Sequence, residues 1–393
     1  MFSLWAGLRR ARARAVGLAL RRFVRGMRVL VTGHRGYIGS VLIPRLRCAG
    51  HDVVGLDAEW YQGCDFPTPG IHPADDRGGQ NPKVDFRTFD RDALRGFEAV
   101  IHLAALPHDA DSHFPADLAL HLNHRTAAEF AGRCKEAGVR RFVLASTCSV
   151  YGRTGAVQAD EQSPVQPITP YALAKWRAEQ DIAALTDANF CPVVLRLATV
   201  YGPSPRLRLD TLVNDLVAGA WGSGRIELRT RGTGHRPLVH IEDVVEVCAA
   251  MLVASQRRVN GETFNVVGAN ESYRITEVAE AVARVAGDCP WSVSPGVPDR
   301  LSYRANGAKL QVTLPELHFA WTLPRGIVQL WEAYQDAGLT VSDWRCARYR
   351  RSLHLADLQE RGMFTAELYE RPPRGRGIRG RGILRKARAF QLT

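Results

Sequence analysis

The chain predicts an α/β fold, a doubly wound parallel sheet followed by a smaller mixed C-terminal region. Three observations carry that prediction. The run Arg28-Val-Leu-Val-Thr32 ends at the turn Gly33-His-Arg-Gly-Tyr-Ile-Gly39, and a helical pattern follows to about Ala49. Apolar runs recur at Val53–Asp57, Val84–Arg87, Ala99–Ala105, Arg141–Ser146 and Cys191–Arg196. Helical sequence separates several of them, from about Asn123 to Gly138 and again from Tyr171. Strands alternating with helices call for parallel pairing through right-handed crossovers.

At 393 residues the chain can bury a full core and hold more than one unit. Glycines, prolines and charges without periodicity mark residues 60–82 as an exposed loop. After about residue 203 the alternation loosens. The expected organisation is a basic extension over 1–26, the doubly wound unit over 27–203, a substrate-binding region over 204–330, helices over 331–370 and a basic, disordered tail over 371–393. In such sheets ligands bind beyond the carboxyl ends of the strands. Thr32, Asp57, Ala104, Thr147 and Thr199 all follow strand ends, so they should line one crevice.

The formal charge of +12 invites a nucleic-acid reading, but its distribution argues against a specific one. Residues 1–26 contribute +7 and residues 371–393 contribute +8, so residues 27–370 carry −3. The basic ends could touch anionic surfaces weakly, although a solvated tail is the simpler reading. Met27 directly precedes the first strand, and residues 1–26 read most simply as lying upstream of the native start. The alternative is an amphipathic surface helix, with Leu4, Trp5, Leu8, Val16 and Leu18 among the arginines. Eight scattered cysteines without a Cys-x-x-Cys pair suit free thiols in a reducing cytoplasm, with neither a disulfide frame nor a metal site.

Gly33, Gly36 and Gly39 have the G-x-x-G-x-x-G spacing. Glycine lets the chain approach a pyrophosphate without a Cβ clash, and the helix that follows offers N–H groups to the phosphates. A glycine-rich turn without a ligand is the bland alternative; the strand before it and the helix after it favour the dinucleotide. Asp57 comes 18 residues after Gly39, where an acid would accept from the adenosine ribose hydroxyls and repel a 2′-phosphate. That favours NAD over NADP. Arg35 is the contrary hint, since a guanidinium could neutralise the extra phosphate.

Tyr171 and Lys175 are i and i+4 in Tyr-Ala-Leu-Ala-Lys, so they share one helix face. A tyrosine with pKa near ~10 is a poor base at neutral pH. A nearby ammonium and an oxidised nicotinamide both stabilise the phenolate. Thr147, at the end of the fifth run, can bond the same substrate hydroxyl. An exposed helix face would give the same spacing by chance, but the glycine loop 138 positions before Tyr171 makes coincidence a poor explanation.

Together these motifs resemble the extended short-chain dehydrogenases, specifically the NAD-dependent epimerase/dehydratase group that modifies nucleotide sugars. The resemblance spans about residues 27–330. It runs through Thr32–Gly39, Asp85-Phe-Arg, His102-Leu-Ala-Ala, Ser146-Thr-Cys-Ser-Val-Tyr-Gly152, Tyr171-x-x-x-Lys175, Leu195–Pro203 and Arg236–Asp243. It implies a Rossmann fold in which Arg35, Tyr37 and Ile38 join the glycines at the cofactor. Asp85 with Phe86 would lie at the adenine, and Ala104 and Ala105 would pack nearby. Thr147, Tyr171 and Lys175 would be catalytic, with Thr147 and Thr199 near the sugar and Arg236 gripping its diphosphate. His240 and Asp243 are expected to be structural. A homodimer is common in the resembling family.

Departures narrow the reaction. The dehydratases of this family carry Asp-Glu after the catalytic threonine, where this chain has Cys148 and Ser149. The decarboxylase branch places a glutamate at Ser149. Thr199 stands where many relatives have an asparagine, which leaves the nucleotide preference open. The expected activity is a 4-epimerase-like exchange that retains NAD. Alternatives are a sugar dehydrogenase or ketoreductase with exchangeable NAD(P), and a non-catalytic dinucleotide-binding scaffold.

Overall fold

The computed structural model describes residues 26–68, 81–107 and 114–371. Expectations for the basic N-terminal extension and the basic tail fall almost wholly outside those residues. Thirteen strands are numbered along the described chain. Six of them form the central sheet: β1 (Arg28–Thr32), β2 (Asp52–Leu56), β3 (Ala99–His102), β4 (Arg141–Thr147), β6 (Cys191–Leu197) and β10 (Thr263–Val266). Their order is β10-β6-β4-β3-β1-β2 and every pairing is parallel. The chain leaves β1 to one side for β2 and returns on the other side for β3. The switch point of this doubly wound sheet therefore lies between β1 and β3.

Alternate residues of each strand enter different layers, as the two-residue period of a strand requires. Val29, Val31, Val143, Val193 and Leu195 pack with the helices Gly39–Cys48 and Ile241–Val253. Leu30, Phe142, Leu144 and Val194 pack with the helices Thr126–Glu136 and Pro170–Ala183. All seven residues of β6 are buried, as expected for a parallel strand covered on both faces.

The smaller sheets lie mostly in the second half. β7 (Thr199–Tyr201), β9 (His235–His240) and β11 (Ser272–Arg274) form one; β8 (Ile226–Leu228) pairs with β12 (Trp291–Val293). β5 (Arg153–Ala159) pairs with β13 (Ser302–Ala305). Among the described residues, no helix is long and apolar enough to cross a membrane.

Three expectations need correction. Val84–Arg87 is not a strand; a single parallel bridge joins Asp57 to Lys83, and a turn follows. The alternation Val-Asp-Phe-Arg resembles a strand, but Asp85 caps the backbone N–H of Arg87 at 2.9 Å and bends the chain. The sixth strand of the sheet is instead β10. The segment 60–82 is not wholly exposed, since Cys64, Phe66 and Asn81 are buried. Finally, the C-terminal helices begin at Leu323 rather than 331, and Gly338 ends the first of them in the left-handed conformation.

Candidate functional site

The carboxyl ends of β1 and β3 meet at Gly33 and Ala104. Gly33 has φ +72°, and a Cβ there would lie 2.8 Å from the Ala104 nitrogen. Only glycine allows both this backbone and this approach. Gly39 is equally constrained, because its Cβ would lie 2.3 Å from the Gly33 oxygen. The Gly36 N–H donates to that same oxygen at 2.9 Å. The helix Gly39–Cys48 begins with no side-chain cap and no acid in its first turn. Its N-terminal end is thus arranged to receive negative charge.

Behind the loop, Thr32 Oγ1 lies 2.8 Å from His102 Nδ1, and the Ala104 N–H donates to Thr32 Oγ1 at 3.3 Å. Burial lowers the pKa of His102 to about 3, so the ring is neutral. Tyr37 is a strut: its hydroxyl donates to the Gly202 oxygen at 2.6 Å and accepts from Asn214 at 3.0 Å. Burial drives its pKa far above the ordinary tyrosine value. Ile38 precedes the helix and packs partly against the core. For Tyr37, then, the structure turns the side chain away from any ligand and into the protein.

At the end of β2, Asp57 accepts from the Arg35 N–H at 3.0 Å and from the Glu59 N–H at 2.7 Å. Burial raises its carboxyl pKa, while those two hydrogen bonds oppose the rise. The Arg35 guanidinium pairs with Glu59 at 2.7 Å. The cation that hinted at a 2′-phosphate therefore already faces a carboxylate. Asp85 is held by Arg87, whose Nε donates to it at 2.8 Å. The Phe86 ring does not face a ligand. It packs edge-on against His102 and Phe130, with centroids 5.0 and 5.7 Å away, because the aromatic layer beneath the sheet buries it. Ala104 and Ala105 are half-buried just beyond β3.

β4 ends at Thr147, whose hydroxyl lies 3.0 Å from Ser149 Oγ and accepts from the Ser149 N–H at 3.1 Å. Cys148 points the other way: it is wholly buried, with its thiol 3.1 Å from the Arg196 oxygen. Thr169 caps the helix Pro170–Ala183 by accepting from the Ala172 N–H at 3.1 Å, and Pro170 occupies its first turn. Tyr171 follows, half-buried in a first turn without acids. The positive end of the helix dipole thus lies where a phenolate would carry its charge. One turn on, buried Lys175 donates to the Ala145 oxygen at 2.9 Å. Burial lowers its pKa to about 8, against the opposing pull of Glu179.

Sequence reasoning missed the network under this helix. Glu179 forms a buried ion pair with Arg196 at 2.7 Å and accepts from Ser146. Arg196 also donates to Tyr151 at 2.9 Å, and Tyr151 to Asn265 at 2.8 Å. Only the i+4 spacing of Lys175 and Glu179 could have signalled it.

Thr199 and Arg236 come together through a residue that the sequence did not flag. Thr199 bonds Tyr303, and the Arg236 guanidinium lies 5.8 Å from the Tyr303 ring. Arg236 donates to the His235 oxygen at 3.0 Å and to the Leu301 oxygen. Burial lowers its pKa. His240 and Asp243 bond within the fold. His240 accepts from the Glu242 N–H at 3.3 Å and stacks on Trp321 at 4.0 Å, while Asp243 accepts from the Ala320 N–H at 3.0 Å.

A strand–loop–helix cradle with Asp57 beyond it, and Thr147, Tyr171 and Lys175 on neighbouring elements, is matched by a family model. The model for the NAD dependent epimerase/dehydratase family matches residues 29–267. The chain belongs to that family. The uncharacterised UDP-glucose epimerase YtcB of Bacillus subtilis is 30% identical over 66% of this chain and 83% of its own length. A dTDP-glucose 4,6-dehydratase of Streptomyces niveus is 28% identical over 79% of this chain and 93% of its own. The solved structure of MoeE5 in complex with UDP-glucuronic acid and NAD has TM-score 0.67 at 27% identity, covering 79% of this chain and 99% of that one. Membership makes the chain an enzyme of the epimerase/dehydratase family on a Rossmann-like sheet, and relatives of both reaction types lie at similar distances.

Proposed function

We propose that the chain is a nucleotide-sugar epimerase, 4-epimerase-like, that retains NAD through its cycle. The observation that carries this reading is the pair of residues after Thr147. Cys148 has its thiol buried in the core, and the Ser149 hydroxyl lies against Thr147. Neither supplies the acid and base that removal of water requires, so oxidation and re-reduction are the steps left.

The residues fit a dinucleotide. Gly33 lets the loop lie against the Ala104 backbone without a Cβ clash, the helix Gly39–Cys48 has neither a side-chain cap nor an acid in its first turn, and Arg35 is paired with Glu59 rather than aimed at a 2′-phosphate. Gly33, Gly36 and Gly39 would hold the pyrophosphate, with backbone of Arg35, Tyr37 and Ile38 beside it. Asp57 would take the adenosine ribose and Asp85 the adenine. NAD, when bound, supplies a hydride acceptor that can return what it takes.

In this reading Tyr171 removes the proton of the sugar hydroxyl and later returns it. Lys175, held on the Ala145 oxygen, keeps a cation beside the phenolate. Thr147 bonds the same hydroxyl and fixes its orientation. Arg236, beside Tyr303 and Thr199, takes the diphosphate. UDP-glucuronic acid and UDP-glucose, bound by solved relatives, support a nucleotide-sugar substrate.

Replacing Tyr171 by Phe tests the assignment. Turnover of a nucleotide sugar should fall by about a thousandfold or more, while NAD still co-purifies. Turnover equal to that of the unaltered protein contradicts it.

A further inference from the structure

The family match ends at residue 267, yet the chain comes back to residues of the first half of the fold much later. The helix Arg351–Glu360 leads into a tight hairpin, in which Phe364 bridges Glu370 and the Thr365 N–H donates to the Tyr369 oxygen at 2.9 Å. Leu368 in this hairpin has φ +58° and is wholly buried. A leucine in the left-handed region is strained by roughly 1 kcal/mol or more. The strain is held by packing, because Leu368 joins Leu355 and Leu358 against Leu106, Leu118 and Leu122. Leu106 directly follows Ala105, in the loop beyond β3. The hairpin is thus anchored on one flank of the proposed dinucleotide cleft.

Its other contacts converge on Arg87. The guanidinium donates to the Glu367 oxygen at 2.7 Å and to the Leu368 oxygen at 2.9 Å. The Tyr369 ring lies 3.7 Å from it, within cation–π range. Lys83, four residues before Arg87, pairs with Glu370 at 2.8 Å. The same guanidinium holds Asp85, with Nε at 2.8 Å, and the Arg87 N–H donates to Asp85 Oδ1 at 2.9 Å. Arginine presents its donors in a rigid fork. Two carbonyls and a ring from the hairpin fix that fork in one place, and so fix the carboxylate it carries.

We infer that the hairpin 364–370 is part of the dinucleotide site: it positions Arg87, Arg87 positions Asp85, and the hold on the adenosine half of NAD depends on this chain of contacts. The inference rests on the proposed role of Asp85. Holding a binding group in its bound conformation removes the ordering cost that binding otherwise carries. Residues some 280 positions from Asp85 then set cofactor affinity.

Tyr369 suits the test because it is partly exposed and its contact with Arg87 is made by the ring alone. Dissociation constants for NAD and for ADP-ribose are measured by calorimetry on cofactor-stripped protein, for the wild type, Tyr369→Ala and Tyr369→Phe. Melting temperatures are recorded in parallel. Tyr369→Ala should weaken both ligands about two- to fivefold, the scale of a lost partly exposed cation–π contact. Tyr369→Phe, which keeps the ring, should bind as the wild type does, and neither variant should melt more than a few degrees lower. Unchanged affinity in Tyr369→Ala overturns the inference. A loss of affinity that follows a collapse in melting temperature, or that Phe fails to rescue, overturns it as well. A wild type that binds neither ligand removes the cofactor assignment itself, which separates that failure from failure of the hairpin's role.

Discussion

Glu179 and Arg196 form an ion pair 2.7 Å apart, with both side chains almost wholly buried, one helical turn beyond Lys175. Ser146, the residue before Thr147, donates to the same carboxylate. The pair therefore ties β4, β6 and the helix Pro170–Ala183 together beneath the candidate catalytic residues. It fixes the helix that carries Tyr171 and Lys175 without contacting a ligand.

Removing one partner of a buried pair leaves an uncompensated charge, at a cost of about 3–5 kcal/mol. Arg196→Met should lower stability by about that amount in denaturant titrations. The double variant Glu179→Gln with Arg196→Met should recover most of the loss. A single variant within about 1 kcal/mol of wild type would show that the pair is relaxed by water.

Lys175 should oppose stability while serving activity. Burial lowers its folded pKa to about 8, below the value near ~10.4 of an unfolded lysine. Between those values the unfolded chain binds the extra proton, so this site's contribution to stability rises with pH across that window. Below about pH 8 the buried ammonium carries its full desolvation penalty. Lys175→Met should therefore melt no lower than wild type at pH 7, with the difference shrinking toward pH 10, and should lose turnover at every pH. A clear drop in melting temperature at pH 7 would show that the bond to Ala145 outweighs the penalty.

Glu59 should guard cofactor choice. It neutralises Arg35 at 2.7 Å, and the loop is shaped by Asp57 accepting from both backbones. Glu59→Gln would remove the carboxylate paired with the guanidinium and make that cation a better partner for a 2′-phosphate, so the ratio of NADP to NAD affinity should rise about fivefold or more. An unchanged ratio would mean that Asp57 alone excludes the phosphate.

Local patterns made much of the fold and site legible. The strand, the glycine turn and the helix at 28–48 are consecutive, and Tyr171 and Lys175 are one turn apart, so each can be read from a short window. Val84–Arg87 misled because a two-residue alternation also arises where an aspartate caps a turn and a phenylalanine drops into an aromatic layer. β10 was missed because a four-residue buried strand has no period to detect. Tyr303 and the hairpin 364–370 act only through contacts distant in sequence, such as Thr199 with Tyr303 and Arg87 with Glu367. No local pattern announces those.

The central claim is a redox cycle that closes on itself. The most direct test incubates the purified protein with UDP-glucose and, separately, UDP-glucuronic acid, without added NAD, and follows sugar configuration by NMR alongside nicotinamide absorbance. The account predicts the 4-epimer of at least one sugar with no net accumulation of NADH. NADH released in proportion to product, or a product that has lost water, would contradict it.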